Sequence, residues 1–540
     1  MSGETTLGTT QISAAPPPAS DAPFRTKRAF LKEFLRRVVA NDVIKIIVLL
    51  LMFSWFPLQP VIWRNVGETD VWWHMRTGEW ILQHHQLPHT DPFSSTGVGK
   101  PWVAYSWPFE IFIYEVAKQW DLIGIVAVTV FLWVGMTAVL LHLIRGFKPP
   151  FWASVTLALL GSIVFMRVCS SRPGPLTVIF FIVVLDILLD AERNHSVRKL
   201  WAVPIIVWIW ANLHVQFVYG LFVIGLFCML PVFDWALAKL GSPPEPGTRH
   251  LPAKWMWGTL ALSTAVTFAN AYGVGIYRVL WDFIQQPKLY SFINETRAMA
   301  FNLRVHFIVL FVALAAAAAL GRQRRIQPLW AILLAWAAVS GFHAERDIWV
   351  TGVISICILA QWAAIQFPNS APVERRVWLG AFACVLLMLI ARFKTGPTNK
   401  ELSALWATEL PVGAVAYIHE HHLQGPIYNN FDWGGFLIYA LPEMPVVIDG
   451  RTNVHGQDEI ARSLETWNVK GDDWYDDPLL QKANLVIADP FFSLTYVLRK
   501  DPHFKVVFED AAVVLYQRVL PPDSPSTKPT TEAQKETSPK

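Results

Sequence analysis

Charged residues are scarce in this sequence. Asp, Glu, Lys and Arg make up 16% of its 540 positions, whereas a soluble domain carries about 25%. Hydrophobic residues make up 53%, so we expect much of the chain to lie in lipid. The formal net charge is only +4, which excludes the strong basic field of a protein that binds nucleic acid.

Cysteine is scarce as well. The four cysteines fall in or beside apolar segments, at Cys169, Cys228, Cys357 and Cys384. Their spacing indicates neither a disulfide framework nor any of the usual zinc or redox motifs. A Gly-rich phosphate-binding loop and an internal repeat are not evident either. The first absence is consistent with an enzyme that needs no soluble nucleotide, and the second disfavours a transporter built from repeats.

Long apolar runs are abundant. A membrane-spanning helix needs roughly 20 mainly apolar residues. Eleven segments fit this pattern, at about 43–62, 121–144, 151–167, 174–190, 199–213, 217–238, 255–270, 304–320, 327–342, 348–366 and 376–393. We therefore predict a polytopic helical membrane domain at 41–394, between polar tails at 1–40 and 521–540 that are expected to be disordered. The basic stretch 25–37 precedes the first span without a convincing cleavage site, which predicts an uncleaved anchor.

Basic loops predict the orientation of these spans, because Lys and Arg in short loops stay on the cytoplasmic side. With the amino terminus inside, all the predicted inner loops are basic, at 145–150, 191–199, 238–254, 321–327 and 373–376. The long first loop, 63–120, and everything after residue 394 are then expected on the periplasmic or extracellular side.

The first outer loop carries a dense group of ionisable side chains. In "ETDVWWHMRTGEW", Glu68–Trp80, helical spacing puts Asp70 and His74 on one face, with Arg76 nearby. Asp70 is either a helix N-cap or a functional carboxylate, and the two roles are compatible. The stretch 101–120 is aromatic and amphipathic, which is typical of a helix lying flat on a membrane. The next polar residues include His84, His85, His89 and Asp91, which are residue types that can bind a metal. Their segment is more typical of a surface loop, so no metal site is assigned to them.

Later outer loops carry arginines where the positive-inside bias disfavours them. The candidate polar residues of these loops are Arg167, Arg172, Asn212, His214, Glu295, Arg297, His343 and Arg346. The planar fork of arginine suits the oxygen atoms of a phosphate. The alternative is snorkelling to lipid headgroups or pairing with neighbouring acids such as Glu345 and Asp347. For several such residues together we favour one shared polar cavity on the outer face.

The segment 395–520 is predicted to be a small soluble α/β domain. Short strands alternate with helices, which indicates a mainly parallel sheet, and "PVVIDGR" at 445–451 is predicted as one of its strands. Residues at the carboxyl ends of such strands often line a site. The candidates for contact with a substrate are therefore Asn429, Asn430, Asp432, Asp449 and Arg451. A structural turn at 449–451 is the alternative.

Several quoted segments resemble a known superfamily. "TDVWWHMRTGEWI", "LPHTDPFS", "WANLHVQFVYGL" and "NNFDWGGFLIYALPEMPVVIDGR" resemble a poorly characterised bacterial branch of the GT-C membrane glycosyltransferases, over about residues 40–520. That superfamily includes the protein O-mannosyltransferases, the lipid A aminoarabinose transferases and the Rgt-type sugar transferases. The resemblance implies transfer of a sugar, with inversion, from a polyprenyl-phosphate donor. The acceptor would be a glycan, lipid or protein at the outer face of the bacterial inner membrane.

The resemblance also implies roles for particular residues. A general base acting on the acceptor falls on Asp70, with Glu68 and Asp91 as the other candidates, because relatives often show two adjacent acids here. A second acid falls on Glu295 or Glu345. The outer arginines would stabilise phosphate charge, and Asn212 and His214 would donate or accept hydrogen bonds at the donor. The sequence assigns no metal ligand and leaves dependence on a divalent metal open.

Two other classes of function remain open at this point. One is a transporter or flippase for a lipid-linked or anionic solute, and the other is a membrane scaffold without catalytic activity. Convergence of Asp70 with the outer arginines and His214 around one cavity would favour the enzyme, whereas scattered positions would favour the scaffold.

Overall fold

A computed structural model describes residues 41–57, 68–244, 248–323, 325–368, 374–470 and 473–520. Both predicted tails, the basic stretch 25–37, the end of the first predicted span and the first residues of the long loop lie outside these ranges. Short gaps between the described ranges also fall in three of the predicted inner loops, 238–254, 321–327 and 373–376.

The described residues before 396 form mainly helices. In chain order the α-helices are α1 (Asp42–Ser54), α2 (Asp70–His84), α3 (Trp107–Gly146), α4 (Phe151–Phe165), α5 (Gly174–Asn194), α6 (Ala202–Ala211), α7 (Val218–Lys239), α8 (Ala253–Val266), α9 (Gly275–Ile284), α10 (Leu289–Phe292), α11 (Arg304–Gly321), α12 (Pro328–His343), α13 (Ile348–Gln366) and α14 (Arg375–Thr395). Every segment predicted to span the membrane contains one of these helices.

Not all of the predicted spans are long helices. Within the described ranges, 6 helices are long and apolar enough to cross a bilayer, and they contain α3, α5, α7, α11, α13 and α14. The chain is therefore a multi-pass membrane protein. The other predicted spans contain the shorter helices α1, α4, α6, α8 and α12, so the number of crossings stays a prediction.

The membrane helices pack around α13, while α14 is the most exposed of the long helices. In the most apolar 18-residue stretch of each helix, 72% is buried for α13 and 17% for α14. Trp133, Trp210 and Trp349 are enclosed completely in the centre. Apolar side chains on α14 such as Phe382 and Leu387 are, in contrast, largely exposed. Such an apolar outer surface is stable only where lipid covers it.

Helix α2 and the first part of α3 lie together at one end of the membrane helices. Helix α3 begins at Trp107 rather than at the predicted 101, and the backbone breaks at Asp121 (φ 55°, ψ −142°). The break separates a segment packed on α2 from the span that follows. We call this end of the molecule the C-domain face, because the carboxy-terminal region also packs there.

The carboxy-terminal region has alternating helices and strands. Its elements are α15 (Asn399–Trp406), α16 (Val412–Glu420), β1 (Ile427–Asn429), α17 (Gly434–Ala440), α18 (Thr452–Trp467), α19 (Pro478–Lys482), β2 (Leu485–Ala488), α20 (Ser493–Leu498), β3 (Phe504–Glu509) and β4 (Val514–Arg518). The sheet order is β1-β2-β4-β3. Only β1 and β2 are parallel, whereas β4 is antiparallel to both of its neighbours. The expectation of a mainly parallel sheet was therefore wrong.

The strand predicted at 445–451 does not form. Val446 makes an isolated backbone pairing with Phe93 and Ser95, and the backbone groups of Val447 and Ile448 bond to side chains. The amide of Asn429 accepts from Val447 N at 2.9 Å and donates to Ile448 O at 2.7 Å. Thr96 Oγ1 donates to Val447 O at 2.8 Å. These side chains satisfy the polar backbone groups that a sheet would otherwise pair.

The carboxy-terminal region packs directly on α2. The Trp72 ring lies 5.0 Å from Trp406, 5.1 Å from Phe436 and 5.2 Å from Tyr439, measured between ring centroids. Ser94, from the loop after α2, forms an isolated parallel bridge with Val446. The first residues of α2 are thus held between the membrane helices and the carboxy-terminal region.

Candidate functional site

One arginine at the C-domain face binds three carboxylates. The Arg172 guanidinium lies 2.8 Å from Asp70 Oδ2, 2.8 Å from Glu295 Oε2 and 2.5 Å from Glu68 Oε1. These residues come from the start of α2, the loop before α5 and the 3₁₀ turn Asn294–Thr296. We call Glu68, Asp70, Arg172 and Glu295 the Arg172 cluster. Residues that are far apart in the sequence therefore converge on one point.

The cluster is shielded but open to solvent. The exposed fraction of the side chains is 25% for Arg172 and 21% for Asp70. Burial raises the pKa of Glu68 to about 7, against the lowering effect of Arg172. Burial also raises the pKa of Asp70, while Arg172 lowers the pKa of Glu295. Of the three carboxyl groups facing the guanidinium, Glu68 therefore exchanges its proton near neutral pH.

Asp70 is not the N-cap of α2. It is the first helical residue, the N-cap position is Thr69, and Thr69 makes no side-chain capping bond. The Asp70 carboxylate instead bonds to Arg172. Its negative charge near the helix N-terminus is still favourable, because the backbone N–H groups point toward that end.

His214 lies beside the cluster as a neutral donor. Trp210 Nε1 donates to Thr177 Oγ1 at 2.9 Å, and Thr177 Oγ1 lies 2.8 Å from His214 Nδ1. Thr177 can accept from Trp210 and donate to Nδ1 at the same time, and in that tautomer the ring hydrogen of His214 lies on Nε2. Burial lowers the pKa of His214 to about 3, and the charges of Arg346 and Arg172 contribute. The imidazole is therefore neutral and presents one N–H.

Tyr105 and Arg346 belong to the same electrostatic environment. Burial raises the pKa of Tyr105 to about 12, with Arg346 and Arg172 acting in the opposite direction. The Arg346 charge also lowers the pKa of Glu295. The Arg346 guanidinium lies 4.6 Å from the centroid of the Phe283 ring. Asp70 thus contacts Arg172 directly. Arg346 and His214 act electrostatically on Glu295 of the same cluster, while a single cavity shared by all of them stays a prediction.

A buried pair lies one helical turn below Asp70. His74 Nδ1 is 3.3 Å from Glu110 Oε1, and the two side chains are only 4% and 1% exposed. Burial lowers the pKa of His74. Among the described residues, Glu110 Oε2 has no hydrogen-bond partner. Sequence reasoning missed Glu110, although an acid on the apolar stretch 101–120 was a signal that it is buried.

Other predicted residues lie outside the cluster. Arg76 pairs with Glu79 at 2.5 Å. Arg167 pairs with Glu345, whose carboxylate also lies 3.2 Å from His306 Nε2. The two candidates for the second acid therefore pair with different arginines. Glu295 contacts Arg172, and Glu345 contacts Arg167.

Three further predicted residues have local roles in the structure. Arg297 is exposed and donates to Ser291 O at 2.8 Å. Asn212 donates to Trp208 O at 2.9 Å at the end of α6. His343 is the last residue of α12. None of these contacts joins a member of the Arg172 cluster.

Asp91, Asp449 and Arg451 form a second, fully buried network. Arg451 lies 2.6 Å from Asp91 Oδ1 and 2.7 Å from Asp449 Oδ2, and all three side chains are 0% exposed. His455 Nε2 lies 2.9 Å from the same Asp449 oxygen. The Arg451 guanidinium sits 4.7 Å from the Trp102 ring centroid. This network, which we call the Arg451 network, connects the loop after α2 to the carboxy-terminal region.

Asp432 and the predicted histidine group occupy different surroundings. Asp432 is exposed at the surface of the carboxy-terminal region. His84 Nδ1 lies 2.8 Å from Trp80 O. The His89 ring makes an edge contact with Tyr272. A search of the described ranges for three His, Cys, Asp or Glu residues arranged to hold a metal ion finds none.

An open apolar groove of about 620 Å³ lies along α3. Its lining includes Pro108, Phe112, Ala127, Phe131, Leu176 and Leu213. Leu176 precedes Thr177 and Leu213 precedes His214, the pair that is hydrogen-bonded beside the Arg172 cluster. The lining of the apolar groove thus reaches residues that neighbour Thr177 and His214 in the chain, and Leu176 lies four residues beyond Arg172.

Comparison with known proteins gives a similarity of fold. No protein-family model and no curated protein sequence matches the chain. Among solved structures, the crystal structure of ArnT from Cupriavidus metallidurans bound to undecaprenyl phosphate is similar over 88% of this chain and 99% of that one. The identity is 13% and the TM-score is 0.42. At this identity and TM-score the similarity carries no argument about family, and the resemblance expected from the sequence stays a prediction.

Proposed function

We propose that this protein is a membrane glycosyltransferase that moves a sugar from a polyprenyl-phosphate donor to an acceptor at the C-domain face. The observation that carries the proposal is the apolar groove whose lining reaches residues close in the chain to Arg172 and His214. A prenyl phosphate has this same division, with a long apolar chain joined to a compact anionic head. The acceptor would be a glycan, lipid or protein of the cell envelope.

The groove supports binding of the prenyl chain. Its described lining is apolar, and Phe112 and Phe131 at its edge are 51% and 76% exposed. Burial of apolar surface contributes roughly 25 cal/mol per Å². A chain lying in the groove would bring its phosphate to the end formed by Leu176 and Leu213. That end is close to Arg172 and His214 in the chain.

Arg172 is the proposed partner of the phosphate. A guanidinium binds two phosphate oxygens side by side, and such charge-assisted bonds are short and strong. Glu68, Asp70 and Glu295 occupy these positions in the structure. The phosphate would therefore replace carboxylates on Arg172, with His214 Nε2–H as a second donor. Positive partners fixed near the phosphate stabilise the charge that grows on it as the sugar leaves.

Asp70 is the proposed general base. A positioned carboxylate that takes a proton from the attacking hydroxyl contributes typically about 10²–10⁴-fold to the rate. Displacement from Arg172 by the phosphate would free Asp70 for this step. Glu68 is the alternative base, because its pKa of about 7 lies near the pH at which the protein works. In an inverting transfer the base and the leaving phosphate lie on opposite sides of the sugar.

We further propose that the protein lies in the bacterial inner membrane with the C-domain face toward the periplasm. The support is the basic character of the loops predicted on the other side. Reporter fusions test this orientation, and a cytoplasmic position of residues 395–520 would contradict it.

Binding of undecaprenyl phosphate tests the proposed donor. The full chain in nanodiscs is titrated, and Arg172→Gln is compared with Arg278→Gln, whose side chain is 72% exposed on α9. Loss of a charge-assisted contact costs about 1.5–3 kcal/mol, so we expect about 10- to 150-fold weaker binding for Arg172→Gln only. No saturable binding by the wild-type chain would overturn the proposal.

A further inference from the structure

We propose that the carboxy-terminal region orients the Asp70 carboxylate through backbone contact at Gly450. Gly450 is then a positioning residue for the general base, an assignment that rests on the proposed function. The side chains that hold Gly450 in place form the Arg451 network.

The contact at Gly450 leaves no space for a side chain. A Cβ atom built on Gly450 would lie 2.2 Å from Asp70 Oδ1 and 3.2 Å from Asp70 Cγ. Real Cβ atoms essentially never approach another atom more closely than 3.0 Å. The other carboxylate oxygen, Oδ2, bonds to Arg172 at 2.8 Å. Asp70 is thus held from two sides, with one oxygen against the Gly450 backbone and one on the guanidinium.

A second glycine supports the same end of α2. A Cβ built on Gly435 would lie 2.5 Å from Thr69 O, the carbonyl directly before Asp70. Gly435 belongs to α17, and Gly450 belongs to the irregular segment that follows. Two close backbone approaches from the carboxy-terminal region therefore meet two consecutive residues at the start of α2.

The residues on each side of Gly450 fix its position. Asp449 and Arg451 are fully buried and bonded to each other, and Arg451 also bonds to Asp91. Asp91 lies seven residues beyond the last residue of α2, His84. The same helix is therefore connected to segment 449–451 at its beginning, through Asp70 and Gly450, and beyond its end, through Asp91 and Arg451.

This arrangement predicts what a methyl group at position 450 would do. The gap between 2.2 Å and 3.0 Å requires Asp70 or segment 449–451 to move by at least about 0.8 Å. The Arg451 network resists movement of the segment, because displacement would separate buried charges. Asp70 must move instead, and the geometry of its contact with Arg172 changes. A misplacement of about 1 Å at a reacting group costs about 10²-fold in rate.

The experiment uses the full chain in nanodiscs and compares Gly450→Ala with Gly225→Ala. Gly225 lies in α7 and has no atom within 4 Å of a built Cβ. The readout is the pH profile of carbodiimide labelling at Asp70, measured by peptide mass spectrometry. An opposite charge nearby lowers a carboxyl pKa by about 1–3 units. Because the contact with Arg172 changes, we expect the Asp70 profile to shift by about one unit in Gly450→Ala, and not in Gly225→Ala.

A second measurement combines Gly450→Ala with Asp70→Ala. Removing the carboxylate vacates the space that the methyl needs, so Gly450→Ala should lower the unfolding temperature in the wild-type background only. If Gly450→Ala alone fails to fold, recovery of folding in the double variant supports the proposal. An unchanged Asp70 profile in folded Gly450→Ala, additive losses, or a double variant that also fails to fold would overturn it. Neither readout depends on a donor, so absent binding of undecaprenyl phosphate would remove the proposed function separately.

Discussion

Replacing Arg451 with methionine should loosen the connection between the loop after α2 and the carboxy-terminal region. The substitution leaves Asp91 and Asp449 buried without their shared cation, and both side chains are 0% exposed. Breaking a buried ion pair by removing one partner costs about 3–5 kcal/mol. His455, which lies 2.9 Å from Asp449, compensates only one of the two carboxylates.

The matched control is Arg499→Met in the same region. Arg499 pairs with Glu509, but the side chains are 41% and 44% exposed, and exposed pairs contribute about 0–1 kcal/mol. The assay is amide hydrogen exchange at 91–102 and 446–455 in nanodiscs. At about 1.4 kcal/mol per tenfold, we expect about 10²–10⁴-fold faster exchange for Arg451→Met and less than about tenfold for Arg499→Met. Equal exchange in the two variants would refute a structural role for the Arg451 network.

Two further predictions concern the donor. The folded-state pKa of Glu68 is raised to about 7 from 4.5, so folding favours its protonated form and the stability from that proton is lost as pH rises from about 4.5 through 7. As pH rises through 7, undecaprenyl phosphate should therefore bind more weakly and the unfolding temperature should fall. Both trends should flatten in Glu68→Gln. Trends that stay unchanged in this variant would contradict the raised pKa of Glu68. Separately, Ala127→Trp fills the apolar groove and should weaken binding at least about tenfold, as expected when an apolar contact worth about 1.4 kcal/mol is lost. Leu387 on α14 is 66% exposed, and Leu387→Trp should not weaken binding. Equal binding by both variants would argue against the groove as the binding site.

The membrane helices could be predicted because their signal is local. Each span is an apolar run read from consecutive residues, and every predicted segment contains a helix. The lengths of the helices were less predictable. A helix such as α6, Ala202–Ala211, is shorter than its apolar run, since the chain turns at Asn212 where polar residues begin.

The sheet of the carboxy-terminal region shows where local patterns fail. Segment 445–451 has the apolar composition of a strand, yet the backbone groups of Val447 and Ile448 bond to the side chains of Asn429 and Thr96. No periodicity encodes such a partner. The antiparallel pairing of β4 with β2 likewise depends on contacts between distant segments, whereas β3 and β4 form a hairpin that local patterns predict.

The site was predicted in its residue types and only partly in its contacts. Asp70, Arg172 and Glu295 were each chosen for their chemistry, but their distances depend on how distant loops pack. Asp91 and Arg451 were chosen for the same chemistry and meet each other in a buried network instead. Glu110 was missed because an acid that completes a buried pair resembles a surface acid in sequence.

The central claim is that Asp70 acts in sugar transfer, and envelope glycans measure it most directly. Mass spectrometry compares a host strain that lacks the chain with the same strain carrying wild-type, Asp70→Asn or Arg278→Gln protein at equal membrane levels. The account predicts that one glycosylated species disappears without the chain and returns with wild-type and Arg278→Gln, but not with Asp70→Asn. Full return of that species with Asp70→Asn would contradict the claim.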